Sequence, residues 1–361
     1  MGDVTLPIHI IKGRGASTRL PHRFERDVRD EFDDGWGTLH DTANETPPPA
    51  TEVFFEDARS AISRNDSPDI FFDYSVNPYR GCEHGCIYCY ARPTHSYLNL
   101  SPGLDFETKI IAKQNIARIL RSDLGKPGYV ARLLNIGSAT DCYQPVEREL
   151  RLTRQVIEVL QQVRHPFSVI TKSAGIERDL DLLVPLAETR LAAAYITITT
   201  LDGHLARIME PRAASPERRL RTIRTLAERG VPVGVSVAPQ IPFVNDDMEQ
   251  VLEAAWEAGA RSAFYTVVRL PWEVAPLFRQ WLELHFPQRA ARIMARIQEM
   301  RGGKDYDSNF ASRMKGDGLW ANLIRQRFEK TCRRLGFNRE RVELDLSQFR
   351  PGLASGQTSL F

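Results

Sequence analysis

The sequence lacks the features that mark membrane, secreted and strongly charged proteins. No run approaches the roughly 18 apolar residues that a membrane span needs. The start, Met1-Gly2-Asp3-Val4, has no basic region followed by an apolar one, so we expect a cytoplasmic protein that binds no membrane. The 48 basic and 46 acidic residues nearly cancel, so the overall charge identifies no partner.

Cysteine is also scarce, with five in 361 residues, and this excludes a disulfide-rich scaffold. Three of the five nevertheless lie in one loop, residues 81–90, with the spacing C-x3-C-x2-C: Cys82, Cys86 and Cys89. Thiolates suit iron-sulfur clusters, zinc and copper(I), so this loop predicts a metal site. An electron-carrying 4Fe-4S cluster normally takes four cysteines, and a loop with three leaves one iron without a protein ligand.

Two alternatives use the same loop. Zinc takes three cysteines and one histidine in some structural sites, and His84 or His95 could be the fourth ligand of a zinc-stabilised nucleic-acid-binding protein without radical chemistry. A cluster-bearing electron carrier would need Cys142 or Cys332 to complete its set of four.

The loop resembles the C-x3-C-x-aromatic-C signature of the radical S-adenosylmethionine (SAM) enzymes, with Tyr88 in the aromatic position. The resemblance implies a 4Fe-4S cluster on the three cysteines, whose open iron is chelated by SAM, and Tyr88 against the adenine side of SAM. It further implies reductive cleavage of SAM to a 5'-deoxyadenosyl radical that abstracts hydrogen from a substrate, with the reaction type unassigned. A low-potential electron donor, a flavodoxin or ferredoxin, is then required.

Strand and helix patterns alternate from about residue 130 to residue 284, which predicts an α/β fold with a parallel sheet. Gly230 and Gly259 end two of the helices. Residues 70–76 provide a further strand, and 53–63 with 70–76 read as a hairpin. Six strands fit the partial (β/α)6 TIM-type barrel that is usual for radical SAM enzymes.

Three regions are expected along the chain. Residues 1–50 form a polar, partly disordered N-terminal extension. Residues 51–286 form the radical SAM partial barrel, and residues 287–361 a C-terminal helical cap. Between residues 287 and 341 there are 14 basic and 6 acidic residues, so nucleic acid is a candidate partner for this basic region.

Ligands bind at the carboxyl ends of parallel strands, so residues just after each strand are candidates for the site. Lys172 follows the third predicted barrel strand and could pair with the SAM carboxylate. The other polar candidates for binding SAM or substrate follow the second and fourth strands: Asp141, Gln144, Glu147 and Thr199.

Several further segments resemble the branch of spore photoproduct lyase, often labelled "DNA repair photolyase". They are residues 77–82, 140–147, 170–173 and 238–242, and the resemblance covers roughly residues 50–285. That lyase has a cysteine hydrogen donor ahead of an Asp near the end of its second barrel strand. Here Cys142 follows Asp141 instead, and Ser138 or Ala139 takes the upstream place. The resemblance makes Cys142 the candidate catalytic residue, as a hydrogen-donating thiol.

Overall fold

The computed structural model describes residues 10–25, 49–340 and 342–355, and its centre is a seven-stranded sheet with the strand order β10-β9-β8-β7-β6-β3-β2. All neighbours pair in parallel except β2 and β3. The strands are β1 Glu52–Glu56, β2 Ile62–Arg64, β3 Tyr74–Val76, β4 Tyr79–Arg80, β5 Lys109–Lys113, β6 Leu134–Ile136, β7 Phe167–Thr171, β8 Ala192–Thr197, β9 Val233–Gln240 and β10 Ser262–Val267. The predicted α/β fold with a mostly parallel sheet is confirmed.

Helices connect most of the parallel strands, and three more follow β10. They are α1 Leu104–Thr108, α2 Ile116–Leu124, α3 Glu147–Leu150, α4 Leu152–Gln162, α5 Leu180–Glu188, α6 Gly203–Met209, α7 Pro216–Glu228, α8 Met248–Glu257, α9 Val274–His285, α10 Ala290–Glu299 and α11 Gly318–Leu335. Among the described residues, no helix is long and apolar enough to span a bilayer.

Local chemistry sets the limits of these helices. Ser215 caps α7 by accepting a hydrogen bond from the Arg218 amide, with Pro216 in the first turn. Gly259 follows α8 with a φ of +108°, a left-handed conformation that favours glycine. The chain can therefore turn directly from helix into strand, as the sequence predicts.

The predicted hairpin is only partly correct. β2 pairs antiparallel with β3, but β1 pairs parallel with β5, in a separate three-stranded sheet that also contains β4. Between β1 and β2, the backbone of Ala58 exchanges two hydrogen bonds with the Asn115 side chain, at 2.8 and 3.0 Å. This contact holds the residues that follow β1 beside the start of α2, and it keeps β1 apart from β2.

A second difference from local sequence preference concerns residues 106–112, whose aromatic and β-branched residues, among them Phe106, Ile110 and Ile111, favour one strand. The first part is the short helix α1, and the strand β5 starts at Lys109. The helical turn buries both Phe106 and Glu107. Glu107 is paired there with Arg92, at 2.5 Å, and this buried ion pair accounts for a conformation that strand propensity does not reveal.

The described part of the N-terminal region is packed on the protein rather than extended on its surface. Gly15 and Ala16 donate backbone hydrogen bonds to the Glu107 carboxylate at 2.9 and 2.8 Å. Arg23 pairs with Glu273 at 2.9 Å. Residues 10–25 of the predicted N-terminal extension are therefore attached to the fold, whereas residues 1–9 and 26–48 lie outside the described residues.

The basic C-terminal region contains the helices α10 and α11. Phe328 of α11 is buried against Tyr265 of β10, with ring centroids 4.7 Å apart. Arg327 and Arg334 of the same helix form ion pairs with Glu249 and Glu253 of α8. Part of the basic charge that the sequence shows is therefore neutralised inside the fold.

Candidate functional site

The three clustered cysteines lie on one wall of a cavity of about 550 Å³ at the carboxyl ends of the parallel strands. Cys82 and Cys86 are buried, and Cys89 is half-buried. The loop turns sharply at Gly81 and Gly85, whose φ angles of +80° and +66° favour glycine. Strand order and loop conformation thus bring all three thiols to the same cavity.

Buried polar contacts hold the loop from behind. Arg92 is fully buried and donates to the carbonyl oxygens of Cys86 and Gly85 at 2.9 and 3.2 Å. Its guanidinium also pairs with Glu107. Sequence reasoning missed Arg92 and Glu107, because neither spacing nor residue type distinguishes them from surface charges.

Gln144, predicted to bind a cofactor, instead holds the loop from the other side. Its Oε1 accepts from the Glu83 amide at 2.9 Å, and its Nε2 donates to the Gly81 carbonyl at 3.2 Å. The structure therefore places Gln144 behind the cysteine loop, as a positioning residue.

The Asp141 carboxylate lies beside the loop and is surrounded by donors. It accepts from the Thr171 hydroxyl at 2.6 Å, the Lys172 amide at 2.7 Å and the Tyr143 amide at 2.9 Å. His84 Nδ1 lies 3.2 Å from Oδ2 of the same carboxylate. Burial alone would raise the pKa of Asp141, but the charge of His84 and these hydrogen bonds outweigh burial and lower it. Asp141 is thus an ionised link between the cysteine loop and the end of β7.

Lys172 lines the cavity at the tip of β7, on the side of the cysteines. Its Nζ lies 5.9 Å from the centre of the Tyr88 ring. Burial opposes its charge, but the nearby Cys86 and Glu210 outweigh burial and raise the pKa of Lys172. A cation is therefore held next to the thiols.

Tyr88 lines the same cavity and is anchored by a buried network. Its hydroxyl donates to the Glu210 carboxylate, which also accepts from Thr199 Oγ1 at 2.5 Å and pairs with Arg219. Thr199, predicted to contact a cofactor, therefore has its hydroxyl engaged behind the wall. Glu210 and Arg219 were not singled out from the sequence, since they meet Tyr88 only through the packing of β8 and α7.

Like Gln144 and Thr199, two further predicted residues do not line the cavity. Glu147 is buried where it accepts from Tyr79 and from Arg178 Nη2, the latter at 2.7 Å. Cys142 is fully buried in the hydrophobic core, with Sγ 4.0 Å from the Ile170 carbonyl oxygen, and burial raises the pKa of its thiol. Neither side chain is among those that line the cavity.

The donor set fits a cluster of several metal atoms better than a single ion. Burial raises the pKa of Cys86 to about 12, so a metal that binds the thiolate would have to displace its proton. Among residues 10–25, 49–340 and 342–355, no three His, Cys, Asp or Glu side chains converge closely enough to hold one metal ion. A 4Fe-4S cluster binds each cysteine through a different iron, so its ligands need no such convergence.

A family model agrees with this site: the radical SAM superfamily model matches residues 76–255. An uncharacterized protein of Mycobacterium tuberculosis (strain H37Rv) is 34% identical over 224 residues, covering 61% of this chain and 66% of that protein. The match thus spans just under two thirds of the mycobacterial relative. An uncharacterized protein of Methanocaldococcus jannaschii is 28% identical over 215 residues, covering 60% of this chain and 77% of the relative.

Among solved structures, a spore photoproduct lyase double mutant with bound AdoMet and dinucleoside spore photoproduct has a similar fold. The TM-score is 0.51 at 15% identity, with 78% of each chain covered. At this identity the likeness concerns the fold alone. The matched model and the three-cysteine loop at the end of a mostly parallel sheet thus identify residues 76–255 as a radical SAM domain.

Proposed function

We propose that the protein is an enzyme that binds a 4Fe-4S cluster through Cys82, Cys86 and Cys89 and SAM in the adjoining cavity. The observation that carries this proposal is that all three thiols face one cavity of about 550 Å³, with the cation of Lys172 beside them. When bound, the cluster and SAM supply a 5'-deoxyadenosyl radical that abstracts hydrogen from the substrate. The strand order fits a partial (β/α)6 barrel over residues 51–286, with residues 287–361 as a helical cap.

The described side chains supply binding and orientation. Lys172, whose Nζ lies 5.9 Å from the centre of the Tyr88 ring, would offer its ammonium group to the SAM carboxylate. The Tyr88 ring, which Glu210 holds in place, would lie against the adenine side. Asp141 and Gln144 hold the cysteine loop in place. Behind the cavity wall, Thr199 donates to Glu210, and Glu147 accepts from Tyr79 and Arg178. Cys142 lies in the core, so the proposal assigns it no hydrogen transfer.

The partners remain proposals. A flavodoxin or ferredoxin in the cytoplasm would deliver the electron. Nucleic acid is a candidate because the structural neighbour holds a dinucleoside and because α11 is basic. Two arginines of α11, Arg325 and Arg333, form no ion pair with a described carboxylate. Exchanging both for Gln should remove about two phosphate contacts and so flatten the slope of log K for single-stranded DNA binding against log salt concentration. Unchanged binding would exclude this partner.

The proposed function is tested anaerobically. The protein is reconstituted with iron and sulfide, reduced and given SAM, while the cluster is followed by absorption and EPR. We expect 5'-deoxyadenosine from the wild type and none from Cys86→Ser. Cys332→Ser is the matched control, because Cys332 is a buried cysteine on α11 that does not line the cavity, and it should keep full activity. Stoichiometric zinc without a cluster would instead support the zinc-binding alternative.

A further inference from the structure

Part of the cavity wall is formed by a segment that follows α10, residues 303–317, through Arg313, Met314 and Lys315. Arg301 is buried and donates to the carbonyl oxygens of Ser312, Arg313 and Val268, at 3.0, 2.8 and 2.7 Å. The Met314 carbonyl accepts from the Val267 amide at 2.9 Å, which attaches the segment to the edge of β10. The segment is thus held along the sheet and carries its basic side chains into the cavity.

Basic side chains outnumber acidic ones along the cavity. Four basic residues line it, Lys172, Arg269, Arg313 and Lys315, against two acidic ones, Asp69 and Asp141. Both carboxylates are already engaged. Asp69 forms a two-bond pair with Arg313, at 2.6 and 2.7 Å, and Asp141 has the four neighbours described above. Positive charge therefore remains unbalanced on this wall.

Arg269 is the clearest unbalanced cation. It is half-buried, its guanidinium lies 4.8 Å from the centre of the Tyr90 ring, and its Nη1 contacts Met314 Sδ at 3.2 Å. Its Nε is buried and has no hydrogen-bond acceptor among the described residues. No described carboxylate lies within ion-pair distance of it. A buried N–H without an acceptor is costly, and an anionic ligand at this guanidinium would supply one.

A second, independent observation also indicates a ligand. Asn135 lines the cavity from β6 and is 1% exposed. Its Nδ2 donates to Ser168 Oγ at 2.9 Å, but its Oδ1 is buried without a donor in the part of the chain that the structure describes. Phe71 and Phe264 lie nearby in the lining, with ring centroids 6.0 Å apart. The cavity therefore offers a cation, a free acceptor and aromatic surface.

We propose that the reacting part of the substrate is a flat ring that carries an anionic group, carboxylate or phosphate, bound by Arg269. A hydrogen-bond donor on the ligand meets Asn135 Oδ1, and the ring packs on Phe71 and Phe264. This inference rests on the proposed function, which assigns Lys172 to SAM and leaves Arg269 for the substrate.

The test measures equilibrium binding by calorimetry, with the reconstituted full-length protein in the presence of SAM. The probes are benzoate and phenyl phosphate, which distinguish a carboxylate from a phosphate, and benzyl alcohol as the uncharged comparison. We expect at least one anion to bind about tenfold more tightly than the alcohol, which corresponds to about 1.4 kcal/mol. Arg269→Gln should abolish that preference, Arg269→Lys should keep most of it, and Arg118→Gln, an exposed arginine on α2, should leave it unchanged.

Three results would overturn the inference. The first is the absence of an anion preference, either because anion and alcohol bind equally or because neither anion binds. The second is an anion preference that survives in Arg269→Gln. The third is loss of anion binding when SAM is added, which would assign Arg269 to SAM.

The proposed function fails separately. If 5'-deoxyadenosine forms and the anion preference is absent, only the substrate class is wrong, and if the preference is present without SAM cleavage, the radical chemistry is wrong.

Discussion

At the scale of single residues, the sequence identifies the three loop cysteines but not the groups that support the loop. Three cysteines with fixed spacing can be recognised because the spacing is local. Glu210 cannot, because it meets Tyr88 and Arg219 only after β8 and α7 have packed. Polar residues after strands were expected to face a ligand, yet Gln144 and Thr199 bind the protein itself. Proximity to a strand end predicts the neighbourhood of a side chain but not the direction in which it points.

Glu210→Gln tests the importance of this buried network. The change leaves the buried Arg219 without its anionic partner, so we expect a loss of about 3–5 kcal/mol in the free energy of unfolding. Glu249→Gln is the matched control. Its pair with Arg327 is about 30% exposed, and such a pair contributes up to about 1 kcal/mol. Urea unfolding of the two variants measures both values, and equal losses would show that the network is not stabilising.

At the scale of elements, the alternation of strands and helices predicts the main sheet because each strand is a short apolar run. β1 was placed wrongly because its partner, β5, lies beyond the cysteine loop, and a local pattern contains no information on such pairing. The loop also depends on the 3-10 helix Arg92–Leu98 beneath it. His95 Nε2 of that helix forms a hydrogen bond with the Lys109 carbonyl oxygen at 3.0 Å. Its ring packs so closely against Gly81 that a Cβ at this position would lie 2.9 Å from it.

This support for the loop should depend on pH. Burial lowers the pKa of His95 to about 4, below the unfolded value of about 6.5. Between these values the unfolded chain binds more protons, so stability is lost as the pH falls through this window, by up to about 3 kcal/mol for this residue. His165 has the same lowered pKa and adds a similar dependence.

Urea unfolding at several pH values between about 4 and 7 measures the effect. His95→Gln should remove a large part of the slope of unfolding free energy against pH, whereas Arg118→Gln, at an exposed arginine that stays charged over this range, should leave the slope unchanged. An unaltered slope in His95→Gln would mean that this histidine is not kept neutral by the fold.

At the scale of the whole molecule, β10 and β2 are the two edge strands of the main sheet and are not hydrogen-bonded to each other. An ion pair links the segments beside these two edges. Arg313, on the segment beside β10, pairs with Asp69, on the loop before β3. Their side chains are each 12% exposed. The residues are separated by 244 positions in the sequence, so no pattern could have revealed the pair.

Asp69→Asn should therefore cost about 2–3 kcal/mol of unfolding free energy, a value reduced from that of a fully buried pair because some water reaches it. Asp73→Asn is the control, since Asp73 is 47% exposed and lies 3.7 Å from Arg132. A loss no larger than that of the control would show that the ion pair does not hold the two edges together.

The contact of Gly15 and Ala16 with Glu107 also affects the order of assembly on the ribosome. The Gly15 amide and its acceptor are 92 residues apart. At about 5–20 residues per second, the N-terminal segment is made on the order of ten seconds before the carboxylate that it binds. The cysteine loop is complete before Glu107 emerges, so during synthesis the side of the loop that the segment later covers stays accessible. The segment that is made before the cysteine loop therefore closes over it late.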